Sequence, residues 1–292
     1  MLVIAVLLFF SSGYTWGANR DFSWTGGGDG VTWTDAGNWT FTVGSVSTYP
    51  DEDGSGTDSV DFSPGGAVTT SPQAGCILAS LTVGVNGTVT PAGLFEVTGA
   101  TTSDGVLTAD IAGITFGGDL TGGGTLNNVA GGTITFSANL GITNYTDNGG
   151  SEVFDGTTSL GAGTNYTFND VTITSTLNTN SRPVTVTLDI AGAGSLNTTA
   201  TETITVGRDF TVATFTESNS SVVLNTDAAS AVGAHTFYDL TLDKTGGSVS
   251  FNGNLNVTNS MTVNDNDFAY DISISGGNNS VPGATTFNYT GT

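Results

Sequence analysis

The sequence predicts an all-β protein, a right-handed parallel β-helix (β-solenoid) with a tryptophan-rich cap at its N-terminal end. Three observations carry that expectation: a segment that repeats, short apolar runs broken by turn signals, and a composition that is polar without being charged. Residues 246–257 (GGSVSFNGNLNV) restate residues 131–142 (GGTITFSANLGI) at a constant offset of 115, so Phe136 corresponds to Phe251, Asn139 to Asn254 and Leu140 to Leu255. A looser form, an apolar residue, two small or polar ones, Asp or Asn, then Leu or Phe, also starts at Phe116 and Val206. The four starts, at 116, 136, 206 and 251, are separated by 20, 70 and 45 residues. These are near multiples of a unit of roughly 20–25 residues, the size of one solenoid coil.

A second echo pairs residues 167–173 (TFNDVTI) with 236–242 (TFYDLTL), and the strands upstream of each, at 151–157 and 221–226, keep the same order. Stacked coils place like residues above like at about 4.8 Å, which predicts interior files of Phe and Leu and puts Asn254 in a turn-facing ladder. Tandem antiparallel β-sandwiches are the alternative. They would share the alternation and the turns but give no reason for near-identical short units at coil spacing.

Composition limits the partners. Charged residues make up 10% of the 292-residue chain, against about 25% in an average globular protein. With 26 acidic and 4 basic residues the formal charge is −22, which leaves nothing to neutralise phosphates and excludes nucleic acid. Anionic lipid is disfavoured for the same reason. Solubility and weak binding of divalent cations remain.

In chain order, residues 1–17 read as a secretory signal: an apolar run, MLVIAVLLFF, followed by Ser11, Ser12 and Gly13, with cleavage expected after Gly13 or Gly17. Ten apolar residues are too few to span a bilayer, so the mature chain is expected to be secreted and not inserted in a membrane. The lone Cys76 can form no intramolecular disulfide and is expected to be a small buried apolar residue.

Residues 18–75 form the expected cap. Trp24, Trp33 and Trp39 stand in a Gly-rich frame, WTGGGDGVTWTDAGNWTF, followed by Pro50 and the run Asp58-Ser59-Val60-Asp61-Phe62. This order resembles the opening module of large secreted bacterial surface proteins of the parallel β-helix adhesin and autotransporter-passenger type. The resemblance covers about the first forty mature residues; beyond them only the style of repeat matches. It implies that the module caps a solenoid end, which otherwise exposes an apolar cross-section and unpaired strand edges. The three tryptophans are then interface residues of the cap or, in a carbohydrate-binding adhesin, platforms on which surface glycans stack.

Residues 76–292 are the expected solenoid repeats. Strands are predicted at 77–83, 111–116, 133–136, 171–173, 184–188, 203–206, 222–224 and 240–242, separated by Gly-Gly, Asp-Gly and Asn-Gly turns. The last residues, 284–292, read as the start of a further unit without a cap: either the natural chain continues beyond Thr292 or another copy completes the end, and self-association through solenoid ends is the expectation.

The sharpest polar cluster is DEDGSGTDSVD at 51–61. Asp51, Asp53 and Ser55 with Gly56 imitate the first half of a calcium loop, and Asp58 is a further candidate ligand, but the twelfth place is Phe62 and not Glu. Calcium at Asp51, Asp53 and Asp58 is the only cofactor the sequence suggests. Catalysis has little to work with. His235, the one histidine, is expected at a turn or the surface, and Arg20, Arg182, Arg208 and Lys244 are scattered. A polysaccharide-active enzyme is therefore a weaker alternative. So is an ice-binding surface, because the Thr-x-Thr pairs at 133/135, 172/174, 185/187 and 203/205 are expected not to recur at one place in the coil. The expectation is a secreted, cell-surface structural protein, a filament or stalk subunit or an adhesin segment, and not an enzyme.

Overall fold

In a computed structural model the chain forms a β-solenoid of about 11 turns. The structure describes residues 20–41, 47–161, 165–265, 271–281 and 285–289; the expected signal at 1–17 lies outside them. Among the described residues the only helical element is a 3-10 turn at Ala36–Asn38. Among the described residues every strand pairing is parallel except one, near the N-terminus. Sandwiches joined by hairpins would pair antiparallel, so the ladder itself decides for the solenoid.

Each turn has three sides. Leu120–Asn128 runs along the first and second, and Thr133–Phe136 along the third, where it lies on Ile114–Phe116 of the turn before. The bend between the first two sides falls at Gly122, whose φ of 130° and close approach to the Ser103 carbonyl leave no room for a Cβ. From Ser59–Phe62 onward, stacked partners are separated by 18 residues at the tightest, as from Ile134 to Glu152, and by 24 at the widest, from Met261 to Thr285.

Alternation along each strand sends one set of side chains inward. On the third side the inward positions make a file that can be followed through every turn. It runs Cys76, Phe95, Ile114, Ile134, Glu152, Val171, Ile190, Phe210, Val232, Phe251, Ile274. Cys76 is buried and free, as its isolation in the sequence suggests. Beside this file Phe116, Phe136 and Phe154 stack with ring centroids 5.8 and 5.4 Å apart. Fully burying each such ring contributes about 1.5–3 kcal/mol.

Phe251 therefore does not lie above Phe136, as the repeat predicts. It belongs to the file of Ile134, two positions away. The motif starting at Val206 is displaced further: Val206 stacks on Val186 on the second side, and Phe210 opens the third. The motif marks a corner, and not a fixed phase of the coil. Its Asp or Asn turns outward and accepts a backbone N–H from the following turn. Asp119 Oδ1 holds the Asn139 N–H at 3.0 Å, Asn139 Oδ1 the Ser159 N–H at 3.1 Å, Asp189 Oδ1 the Asp209 N–H at 3.0 Å and Asp209 Oδ1 the Ala231 N–H at 2.8 Å. Asn254 joins such a ladder through the Asn278 N–H at 3.3 Å, in agreement with the sequence.

At the N-terminal end β1 (Asp21–Trp24) lies between β2 (Trp39–Phe41), the one antiparallel neighbour, and β3 (Ser59–Phe62), which opens the parallel stack. Three residues long and reversed in direction, β2 ends the ladder on this side with a short edge. No described helix is long and apolar enough to cross a membrane.

Candidate functional site

The cap holds most of the chemistry that the sequence singles out. Its loop, residues 25–38, is built on three polar side chains. Asp29 Oδ1 accepts the N–H groups of Val31 at 3.0 Å and Thr32 at 2.8 Å, and the Asn38 amide at 2.7 Å. Asn38 Oδ1 in turn accepts the N–H groups of Gly28 and Gly30, and Asp35 caps the 3-10 turn through the Gly37 N–H at 2.9 Å. Bonds from the Thr32 hydroxyl, then from the backbone, hold the Asp29 carboxyl well below the usual carboxylate range. A side chain at Gly37 would strike the Gly28 Cα at 2.8 Å, so this pair of glycines lets the loop close on itself.

The loop drives its tryptophans inward. Trp39 sits between Trp24 and Trp33 with both centroid distances 4.9 Å and both contacts edge to face, and Trp24 meets Phe62 of the first coil at 4.9 Å. Trp39 Nε1 donates to the Trp33 carbonyl at 2.6 Å. All three rings are buried in the common core and present no open face of the kind sugar stacking uses.

The acidic loop after Pro50 closes around an arginine. Arg20 Nε donates to Asp58 Oδ1 and an Nη to Asp53 Oδ1, both at 2.7 Å. Asp58 Oδ2 also accepts the Asp51 N–H at 2.7 Å, while the Asp51 carboxylate takes the Ile77 N–H at 2.9 Å and the Gly56 N–H at 3.2 Å. Burial raises the Asp51 pKa, against those N–H bonds and with repulsion from Asp58 and Asp53 adding to the rise. Burial also acts upward on Asp53, but bonds from Ser55 and Arg20 outweigh it and leave its pKa lowered. Asp51, Asp53 and Asp58 are thus brought together, but their oxygens are directed at a guanidinium and at backbone donors. Among the described residues no group of three or more His, Cys, Asp or Glu is arranged to hold a metal ion, and this donor set does not fit calcium.

No family model, curated protein or solved structure matches this chain. Its chemistry is therefore read from its own side chains, and three more lie inside the solenoid. Glu152 occupies the third-side file, where Oε1 accepts from Asn128 Nδ2 at 2.7 Å and from the Tyr145 hydroxyl, while Oε2 has no partner. Burial pushes its carboxyl up to about 8, against the bonds from Tyr145 and Asn128 and with Asp147 adding to the rise. Lys244 is buried on the Ala228 carbonyl at 2.7 Å and Ser230 Oγ at 2.9 Å.

His235 is not at the surface. It packs edge to face against Phe210, Phe215 and Phe237 with centroids 5.2–6.1 Å away, and burial lowers its pKa. It stands at the entry to the strand Thr236–Lys244, as expected, and is buried there because Phe210 and Phe215 of the turn below pack against it.

Single threonines align between turns, although the Thr-x-Thr pairs do not recur together, as the sequence leads one to expect. Thr167, Thr185, Thr205, Val223, Thr241, Thr262 and Thr286 form one file on the second side. Thr does recur at a fixed place. The neighbouring file does not match it, since Thr203 is followed by Ser221, Asp239 and Ser260. The Thr-x-Thr pairs therefore do not stack as pairs.

Proposed function

We propose that the protein is a secreted, cell-surface structural solenoid, a stalk, adhesin segment or filament subunit, without catalytic activity of its own. The eleven-turn parallel ladder with its unbroken interior file carries this reading. Continuous backbone bonding over a packed core makes a stiff, protease-resistant rod. Support for a non-catalytic role comes from the basic groups: Arg20 and Lys244 are spent on internal bonds, and Arg208 is paired with Asp189. The apolar leader and the single buried cysteine support export.

End-on self-association has its own motive. Ile272 and Ile274 are stacked on Val249 and Phe251 at interior positions, yet they remain 37% and 39% exposed. Electron micrographs of the purified chain test both parts. The expected result is rods of roughly 50 Å, from about 4.8 Å per turn, joining end to end as concentration rises. Discrete particles at every concentration would count against polymerisation, and rounded outlines against the rod.

A further inference from the structure

On the first side the ladder breaks between two turns. Thr214–Thr216 pairs with Ser195–Asn197 of the turn below, and Thr236 and Phe237 pair with Asn256 and Val257 of the turn above. Among the described residues no pairing joins Thr214–Thr216 to Thr236 or Phe237, and Thr214–Thr216 ends its sheet. The other sides carry on past this point: Ser221–Leu224 lies against residues 239–242 on the second, and Phe210 bridges to Val232 on the third.

Rings close the gap where backbone bonds do not. Phe210 and Phe215 come from one side of the break and His235 and Phe237 from the other, and each ring centroid lies within 6.1 Å of the other three. His235 is buried and its Nε2 has no hydrogen-bond partner. That nitrogen is turned toward Gly233, where a Cβ would meet it at 2.6 Å. Phe215 is only partly buried, so the cluster reaches the surface through that ring. Beside it the Gly233 N–H donates to the Phe210 carbonyl at 2.8 Å and ties the two turns together.

We infer that this break is a seam which acid opens, held shut while His235 is neutral. A protonated imidazole carries an N–H on both nitrogens, and here one of them meets no acceptor while the charge stands among three phenyl rings. The charged groups on the elements packed around it are engaged elsewhere. Arg208 is paired with Asp189, Asp209 holds the Ala231 N–H and Glu217 the Asn219 N–H. On the strand that His235 leads into, past Tyr238, Asp239 accepts from the Asn259 amide, Asp243 accepts from the Asn264 amide, and Lys244 donates to the Ala228 carbonyl. Burial alone moves the His235 pKa, and it moves it below 6.5, so the closed seam holds the proton more weakly than the open one. The closed state therefore keeps its full advantage above pH 6.5 and loses it as pH falls from there toward the folded value, by up to about tenfold in the opening equilibrium per pH unit. Glu152 acts in the opposite sense, since its raised pKa favours the native state in acid. The seam does not depend on whether rods join end to end.

His235 is the only histidine, so NMR of the full chain follows its ring titration directly, with a midpoint expected below 6.5. Amide exchange on the same sample compares two bonds between the same two turns: Gly233 N–H to Phe210 beside the rings, and Asp239 N–H to Ser220 on the second side. Between pH 6.5 and the His235 midpoint, Gly233 should lose protection by up to about tenfold per pH unit after correction for intrinsic exchange, while Asp239 keeps its own. His235→Leu puts there the residue type that precedes Asn256 in the next turn, and should make the Gly233 protection independent of pH. Three results would overturn the inference: a His235 midpoint at or above 6.5, loss of protection at Gly233 and Asp239 together, or a pH dependence at Gly233 that survives in His235→Leu. The wild-type titration and exchange decide the matter even if that variant does not fold.

Discussion

Arg20 shows how a single side chain can redefine a cluster. Asp51, Asp53 and Asp58 together suggest a hard cation, and the cation that Asp53 and Asp58 receive is a guanidinium from thirty-eight positions upstream of Asp58. Replacing Arg20 with Met is expected to cost about 3–5 kcal/mol, because Asp58 is left buried without its partner. Thermal melts of the variant check this, and melts of wild type with calcium or a chelator should coincide. Glu152 makes the opposite case, an acid without a counter-ion. Its folded pKa of about 8 lies above the unfolded value near 4.5, so the native state keeps a proton that the unfolded chain gives up between those limits. The contribution is complete below pH 4.5 and is lost as pH rises to 8, by roughly 1.4 kcal/mol per pH unit at most. Urea melts from pH 4 to 9 should show that decline in wild type and a flatter profile in Glu152→Gln.

At the scale of the element, the corner carries the grammar. An apolar residue ends one side, Asp or Asn caps the next turn's N–H, and an apolar residue opens the next side. Asp209→Ala removes the acceptor of the Ala231 N–H and is expected to cost about 1–2 kcal/mol, measurable by denaturant unfolding. This grammar was legible in the residues, as were the coil length, the inward Phe and Leu positions and the Asn254 ladder. Phase was not. Residues 77–83 read as one strand but form two, Cys76–Leu78 and Ser80–Val83, hinged at Ala79, because apolar residues continue through the corner. Ile111 reads as strand yet is 71% exposed at a turn. Glu152 could have been found: counting by twos from the inward Phe154 puts it inside. Arg20 with Asp58 could not, since the two meet only through the three-dimensional path of the chain.

For the whole molecule, shape and charge act together. A rod of eleven turns carrying 22 excess negative charges repels its neighbours along its sides, and that repulsion is screened over about 8 Å at physiological salt. The proposed end contacts rest on the apolar Ile272 and Ile274. In the micrographs proposed above, end-to-end joining should therefore survive changes of salt, while bundling appears only when salt is raised. Substituting Ile272 and Ile274 with Ser should abolish joining without shortening the individual rods.

The corner rule reaches beyond one molecule, to how such a chain can lengthen. Because Phe116 leaves the third side while Val206 leaves the second, and the same short phrase turns the backbone at both places, the inheritable module is one side and not one complete circuit. A duplication copying a fraction of a turn still closes, with the next side carrying the extra residues forward. Descendants of a common ancestor can then drift out of step with one another while keeping every rung of the ladder.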